Sequence, residues 1–471
     1  MIERFARQAR TVAKQRLGPL VARRQPVRVD LALSTWELSV GPSGTLWRDG
    51  VDLADLAQRD GTPLHVVLGD RVDANARAAV AVSDAADVFY SYKTNPVPAV
   101  LSRLHGHGVG AEVISPYELW LAIRLGVPGE RLIYNGPAKS PASIRTAIQH
   151  GALLVNANSV SEAALIARLA CEERRVVNLG LRVALEGTWG GQFGVGDLPA
   201  AAGVVRAALD DPWVNLRGLH VHRGMTIRHE ATMASYVEAV LARAGELRDA
   251  TGWYPQILDV GGSLACPSSA AVSNRQFRLN RALGVDLLPP DPADCLRIAD
   301  AASVAAALVH KAAHAAGVAP PRVVLEPGRA LTGDTQLLLT TVVDVKDDGA
   351  LAHAVLDAGV NVAEPVTSEY HQLLSVTDPT AAATIPYRLV GPICTPADVL
   401  YQQWRLPSLA PGHVLAIMDS GAYFVSFATT FSFPKAAIVV QDGTSVVIAR
   451  SRESFEDIVR LDVMPGAAST Q

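Results

Sequence analysis

Residues 109–135 read VGAEVISPYELWLAIRLGVPGERLIYN and carry the signals of a strand, a helix and a second strand in succession. The apolar run VGAEVIS stops at Ser115, where Ser115, Pro116 and Glu118 supply an N-cap, an N1 proline and an N3 glutamate. Gly126 reads as the helix stop, because glycine enters the left-handed conformation without a Cβ penalty. The run RLIYN at 131–135 then opens the next strand.

Outward from this unit the pattern recurs. Eight apolar runs alternate with helical stretches: VFYSY (88–92), VGAEVIS (109–115), RLIYN (131–135), ALLVNA (152–157), VVNLGLRV (176–183), RGLHVH (217–222), QILDVGG (256–262) and RVVLEPG (322–328). Ser140 with Pro141, and Ser159 with Glu162, mark further helix starts, and Gly151 a stop. Such alternation builds a parallel sheet. Eight units without a switch-point GxGxxG predict an α/β protein with a (β/α)8, TIM-like barrel in place of a doubly wound sheet.

The flanks have another texture. LLLTTVVDVKD (337–347), HVLAIMDSG (413–421), AAIVVQDG (436–443) and SVVIARS (445–451) are β-branched and alternating, which predicts a C-terminal antiparallel β domain. We expect a basic extension over 1–30, a strand region over 31–61 that joins the β domain through LALSTWELSV (31–40), a barrel over 62–331 with TPLHVVL (62–68) as its lead-in strand, and the β domain over 332–471. The stretch PSSAAVSNRQFRLNRALGVDLLPPDPADCL (267–296) is long for a connection and reads as a surface or lid insertion.

Composition narrows the function. The 471 residues are 49% hydrophobic with a formal charge of −4, which gives no basic bias toward nucleic acid and points to small metabolites as partners. The four cysteines, Cys171, Cys266, Cys295 and Cys394, show no metal-ligand spacing, so no metal is expected and a reducing, cytoplasmic location is. No apolar run approaches the roughly 18 residues of a membrane span. MIERFARQARTVAKQRLGPLVARR (1–24), with Glu3 its sole acid, reads as an exposed basic helix, the alternatives being a transit peptide or a membrane-surface helix.

A barrel of this kind carries its chemistry at the C-terminal ends of its strands. Lys93 follows the first run in FYSYKTNP (89–96), Glu112 lies in the second, Arg182 in the fifth, and His220 and His222 in the sixth; Gly261, Gly262 and Ser263 end the seventh, and Glu326 with Arg329 the eighth. Each alone is weak, since a lone histidine is usually core and GGS usually a turn. Together, an amine, a flat imidazole, a glycine turn, a carboxylate and an arginine suit a phosphorylated heteroaromatic aldehyde, pyridoxal 5'-phosphate.

The chain resembles the fold-type III pyridoxal-phosphate decarboxylases, which share the alanine racemase-like barrel and include diaminopimelate, ornithine and arginine decarboxylases. The resemblance covers roughly residues 45–450 and is carried by YSYKTNP, GAEVISPYEL, HVHRGM, DVGGS, EPGR, GPICTPADVL and GAY. It implies that Lys93 carries the cofactor, that His222 stacks on its ring, that Gly261, Gly262, Arg329 and Tyr423 hold the phosphate, and that Glu326 binds the pyridinium nitrogen. It also implies a homodimer in which Cys394 of the partner chain protonates the product.

Departures concern the substrate end. Met225 stands where the family has a phosphate-binding serine, and Ser263 where a third glycine is common, so Ser263 is a candidate replacement for the lost hydroxyl. Thr395 replaces the acidic residue that grips a distal amine, and Glu364 in NVAEPVTSEYH (361–371) replaces the arginine that binds a distal carboxylate, one residue being missing before Tyr370. Thr395, Glu364 and Tyr370 are the candidate substrate-binding residues, with Glu364 either repelling a carboxylate, pairing with an amine or pointing to solvent. These imply an amino-acid decarboxylase with altered specificity, for a modified amino acid of siderophore or other secondary metabolism. An amino-acid racemase and a non-catalytic regulator are the alternatives; Glu326 disfavours the first, because related racemases place an arginine there.

Overall fold

The computed structural model describes residues 28–347 and 351–463. The basic extension and the possible amphipathic helix within it lie almost wholly outside these residues. Among the described residues no helix is long and apolar enough to cross a membrane.

One compact unit comprises Gly69–Pro267 and Asp291–Thr335. It is a closed barrel of eight strands, β1 (Asp87–Ser91), β2 (Gly110–Val113), β3 (Leu132–Tyr134), β4 (Leu154–Ala157), β5 (Val177–Arg182), β6 (Val214–His220), β7 (Ile257–Asp259) and β8 (Arg322–Leu325). Every pairing around the ring is parallel. Each predicted run supplies one strand, because its apolar residues are buried and its helices are capped where expected. Ser115, Ser140 and Ser159 accept the N–H groups of Glu118, Ser143 and Glu162, and Gly151 closes its helix in the left-handed conformation. Phe89, Ile133, Leu153, Leu154, Ile257 and Val324 form one buried apolar cluster of the barrel.

Register then sets the site. Ser91 pairs with Glu112, and His220 pairs with both Arg182 and Asp259, so these polar side chains leave neighbouring strands at matching levels. Backbone bonds continue past the strand ends, from Val221 N to Asp259 O (2.9 Å), from Val260 N to Val324 O (3.1 Å) and from Glu326 N to Gly261 O (2.9 Å). The rim of the barrel is therefore held by backbone as well as by packing.

Among the described residues the other unit comprises 28–68, Ser268–Pro290, 336–347 and 351–463. Its nine-stranded sheet is mostly antiparallel, with two parallel pairings, Ala352–Leu356 against Ile385–Val390 and Leu64–Leu68 against Ala437–Asp442. Three expectations change here. The strand Leu64–Leu68 pairs with Gln336–Lys346 and Ala437–Asp442, so it belongs to this sheet and the barrel unit starts at Gly69. Within LALSTWELSV, Leu33–Trp36 turns as a 3-10 helix and Leu38–Val40 joins a separate three-stranded sheet, although Trp36 and Leu38 share a core with Leu64, Val66 and Val439. The stretch read as a lid is built into this unit over Ser268–Pro290: Ala270–Ala271 pairs with Glu369–Tyr370, and the buried amide of Asn280 donates to the carbonyl of Gln403 at 3.1 Å.

Candidate active site

Lys93 sits two residues past the end of β1 in the turn Tyr92–Thr94, half-buried between two buried neighbours. The turn after β8 presses on it: a Cβ at Gly328 would lie 2.0 Å from Thr94 Oγ1, so that approach needs glycine.

Beside Lys93 the barrel end holds three buried carboxyl groups, of Glu112, Asp259 and Glu326. Glu112 accepts from Ser91 Oγ (2.5 Å) and from Asn135 Nδ2 (2.9 Å). The same Asn135 Nδ2 donates to Glu326 Oε1 (2.7 Å), and Asn156 Nδ2 orients that amide by donating to Asn135 Oδ1 (2.7 Å). Burial, reinforced by Asp259 and Glu112, pushes the Glu326 carboxyl well above its ordinary range. Burial likewise lifts Asp259 to about 7. Glu118, whose Oε2 accepts the Ile114 N–H at 2.8 Å, is lifted to about 7 by burial and then by Glu112.

The cationic and aromatic side answers this. Burial drives His220 well below its usual pKa, with Arg182 adding to the effect, and His222 too, with Lys93 adding. Both imidazoles are neutral, so His222 presents a flat, uncharged ring. Trp189 lies against it (ring centroids 5.1 Å apart) and stacks on Phe193 (5.6 Å), over which the Arg182 guanidinium sits at 4.5 Å.

The turn after β7 is a backbone cradle. Gly261 has φ +66°, and a Cβ on Gly262 would lie 2.2 Å from the Glu326 carbonyl oxygen. Ser263 also adopts a positive φ, +65°, and its Oγ accepts the Gly224 N–H at 3.1 Å, tying this turn to the one after β6. Met225 beside it is about half exposed. Arg329 is half-buried at the start of the helix Arg329–Thr332. His220, His222 and Glu326 bring one donor each within 4.8 Å of one another, as a metal site would. The amine of Lys93 and the glycine cradle fit a phosphorylated aldehyde and have no part in a metal triad.

The barrel thus brings together Lys93, Glu112, Arg182, His220, His222, Gly261, Gly262, Ser263, Glu326 and Arg329. Cys394, Thr395, Glu364, Tyr370 and Tyr423 belong to the other unit. Cys394 and Glu364 are exposed there, Thr395 and Tyr423 half-buried. Tyr370, expected at the substrate, is packed in its unit's core against Trp404 (5.7 Å), with its hydroxyl 3.3 Å from Gln372 Oε1, so within its own unit it serves packing. Sequence reasoning missed Asp259, Asn135 and Asn156. Each is the polar residue near the end of an apolar run, and asking the strand-end question of all eight runs finds them.

The chain matches a family model described as the pyridoxal-dependent decarboxylase, pyridoxal binding domain, over residues 70–333. It is 31% identical over 418 residues to a diaminopimelate decarboxylase of Deinococcus radiodurans, covering 87% of this chain and 98% of that one. It is 28% identical over 444 residues to one of Methanothermobacter thermautotrophicus, covering 91% and 98%. The crystal structure of a diaminopimelate decarboxylase from M. jannaschi superposes with a TM-score of 0.80 at 25% identity, over 92% of this chain and 99% of that one.

The raised Glu118 carboxyl makes a prediction. A group that holds its proton more tightly when folded adds stability below its ordinary value of 4.5, and that contribution is lost as pH rises through about 7. Glu118→Gln has no charge to bury, so its stability relative to wild type should improve between pH 5 and 8, by up to about 3 kcal/mol. Chemical denaturation at both pH values checks this; an unchanged difference contradicts it.

Proposed function

The chain belongs to the pyridoxal-dependent decarboxylases, and we propose that it removes the α-carboxylate of an amino acid or amino-acid conjugate whose distal group is neutral or amide-linked. Pyridoxal 5'-phosphate is its cofactor. Bound, the cofactor supplies the sink for the electron pair left at Cα when carbon dioxide departs.

The residues divide the work as follows. Lys93 is the amine that would hold the cofactor's aldehyde. The neutral His222 ring would cover one face of the cofactor and keep water from it. Gly261, Gly262 and Arg329 hold the phosphate, with Ser263 bracing the turn, and Glu112 and Arg182 line the pocket. Glu326 keeps the pyridine nitrogen protonated. The observation that carries the reading is this buried carboxyl, held by Asn135 at 2.7 Å, since a carboxyl there supports full ring protonation and so favours decarboxylation over racemisation. Cys394 and Tyr423 enter through the family resemblance alone, as the proton donor to Cα from a partner subunit and as a phosphate ligand, and with them comes the homodimer.

Specificity rests on what the substrate end lacks. A distal ammonium needs a carboxylate and a distal carboxylate needs a cation, because an unpaired charge in a closed pocket costs several kcal/mol, about 3 to 5. Thr395 offers a hydroxyl, and a Glu364 that faces the pocket would repel a carboxylate. Decarboxylation of free meso-diaminopimelate is the second reading, favoured by the relatives named for that activity.

Carbon dioxide release separates the two. We predict a higher kcat/KM for substrates with an acylated distal amine than for free meso-diaminopimelate; a value for the latter of about 10⁴ M⁻¹s⁻¹ or above overturns the altered specificity. Mixing Lys93→Ala with Cys394→Ala chains should recover part of the lost activity through one intact site per hybrid dimer. No recovery despite demonstrated subunit exchange overturns the shared site.

A further inference from the structure

Asp259 ends β7 with no solvent exposure. Its Oδ1 accepts the Gly261 N–H at 2.9 Å and so braces the glycine turn. Its Oδ2 has no donor among the described residues. The Asp259 side chain is in hydrogen-bonding contact with the carboxyl of Glu326.

Two carboxyl groups in contact away from water cannot both be ionised cheaply: the like charges repel, and Oδ2 is left bare. A single proton on Glu326, donated to Asp259, removes both costs. The surroundings leave it there. Asn135 occupies Glu326 Oε1 as a donor (2.7 Å), and the neutral His220 has its Nε2 3.6 Å from Glu326 Oε2. Glu112 is satisfied by Ser91 and Asn135, and its charge disfavours a second ionised neighbour. The Tyr236 hydroxyl faces the carbonyls of Val221 (2.8 Å) and Val260 (3.0 Å). The cations acting on the pair are Arg182, on both carboxyls, and Lys93, on Glu326; together they favour one ionised carboxyl.

We propose that Asp259 is a positioning residue that keeps a proton on Glu326, so that Glu326 meets the cofactor's ring nitrogen with the proton already in place. This rests on the role of Glu326 given above. The balance would be one proton: a ring nitrogen that arrives without one would take it from the Glu326 carboxyl, and one that arrives with it would let Glu326 release its own, so that in either case Glu326 ends as the carboxylate partner of the cation.

Asp259→Asn tests it, since the amide keeps an oxygen for the Gly261 N–H but donates to Glu326 and leaves it ionised beforehand. Calorimetry of pyridoxal 5'-phosphate binding to the cofactor-free full chain, in two buffers of different ionisation enthalpy, should show about one more proton taken up by the variant than by wild type. Its affinity should also fall by up to about tenfold more per pH unit above neutrality, and kcat should drop about tenfold or more with KM nearly unchanged. If Asp259→Asn folds poorly, infrared spectra of the cofactor-free wild type should show a protonated carboxyl at neutral pH that is lost in Glu326→Gln. Equal proton uptake in both proteins, or no such band, overturns the proposal for Asp259. A wild type that binds no cofactor, or a Glu326→Gln variant that turns over like wild type, overturns the role of Glu326 itself.

Discussion

Three carboxyl groups, of Glu112, Asp259 and Glu326, are buried at one end of the barrel, and nearly everything about the site answers to that burial. Buried carboxylates cost several kcal/mol, about 3 to 5, when left unpaired, so donors must come from the strands themselves. The amide of Asn135, held in place by Asn156, the hydroxyl of Ser91 and the Gly261 N–H do this. They satisfy hydrogen bonds without cancelling charge. The remaining negative field favours a cation in the pocket, and Lys93 and Arg182 are placed to use it. The site is therefore electrostatically matched to a charged guest.

The barrel was readable from sequence because its information is local. Each strand is a short apolar run, and three of the helix starts are marked by a serine whose hydroxyl does accept the expected N–H. Apart from the 3-10 turn at Leu33–Trp36, the differences in the fold concern long-range pairing. Nothing within TPLHVVL says that Leu64–Leu68 will pair with Gln336–Lys346 rather than join the strands that follow it. Nothing in the proline-rich stretch 267–296 says that Ala270–Ala271 will add to Glu369–Tyr370. Such pairings depend on which edges remain after the barrel has closed.

The candidate site divides the same way. Lys93, His222, the glycine turn and Glu326 stand where strand ends and turns coincide, so position and chemistry point together. Asp259 and Asn135 end apolar runs and pass as strand residues until their neighbours are known. Tyr370 packs against Trp404 within its own unit, a contact that its place in the sequence does not reveal. Specificity is the part that local reading reaches least, because Thr395 and Glu364 matter through what faces them.

The central claim is that this barrel carries pyridoxal 5'-phosphate on Lys93. Borohydride reduction of the purified protein followed by peptide mass spectrometry tests it most directly. The account predicts a phosphopyridoxyl adduct on the peptide containing Lys93 and its loss in Lys93→Ala. An adduct on Lys139 or Lys311, or none in a catalytically active preparation, would contradict it.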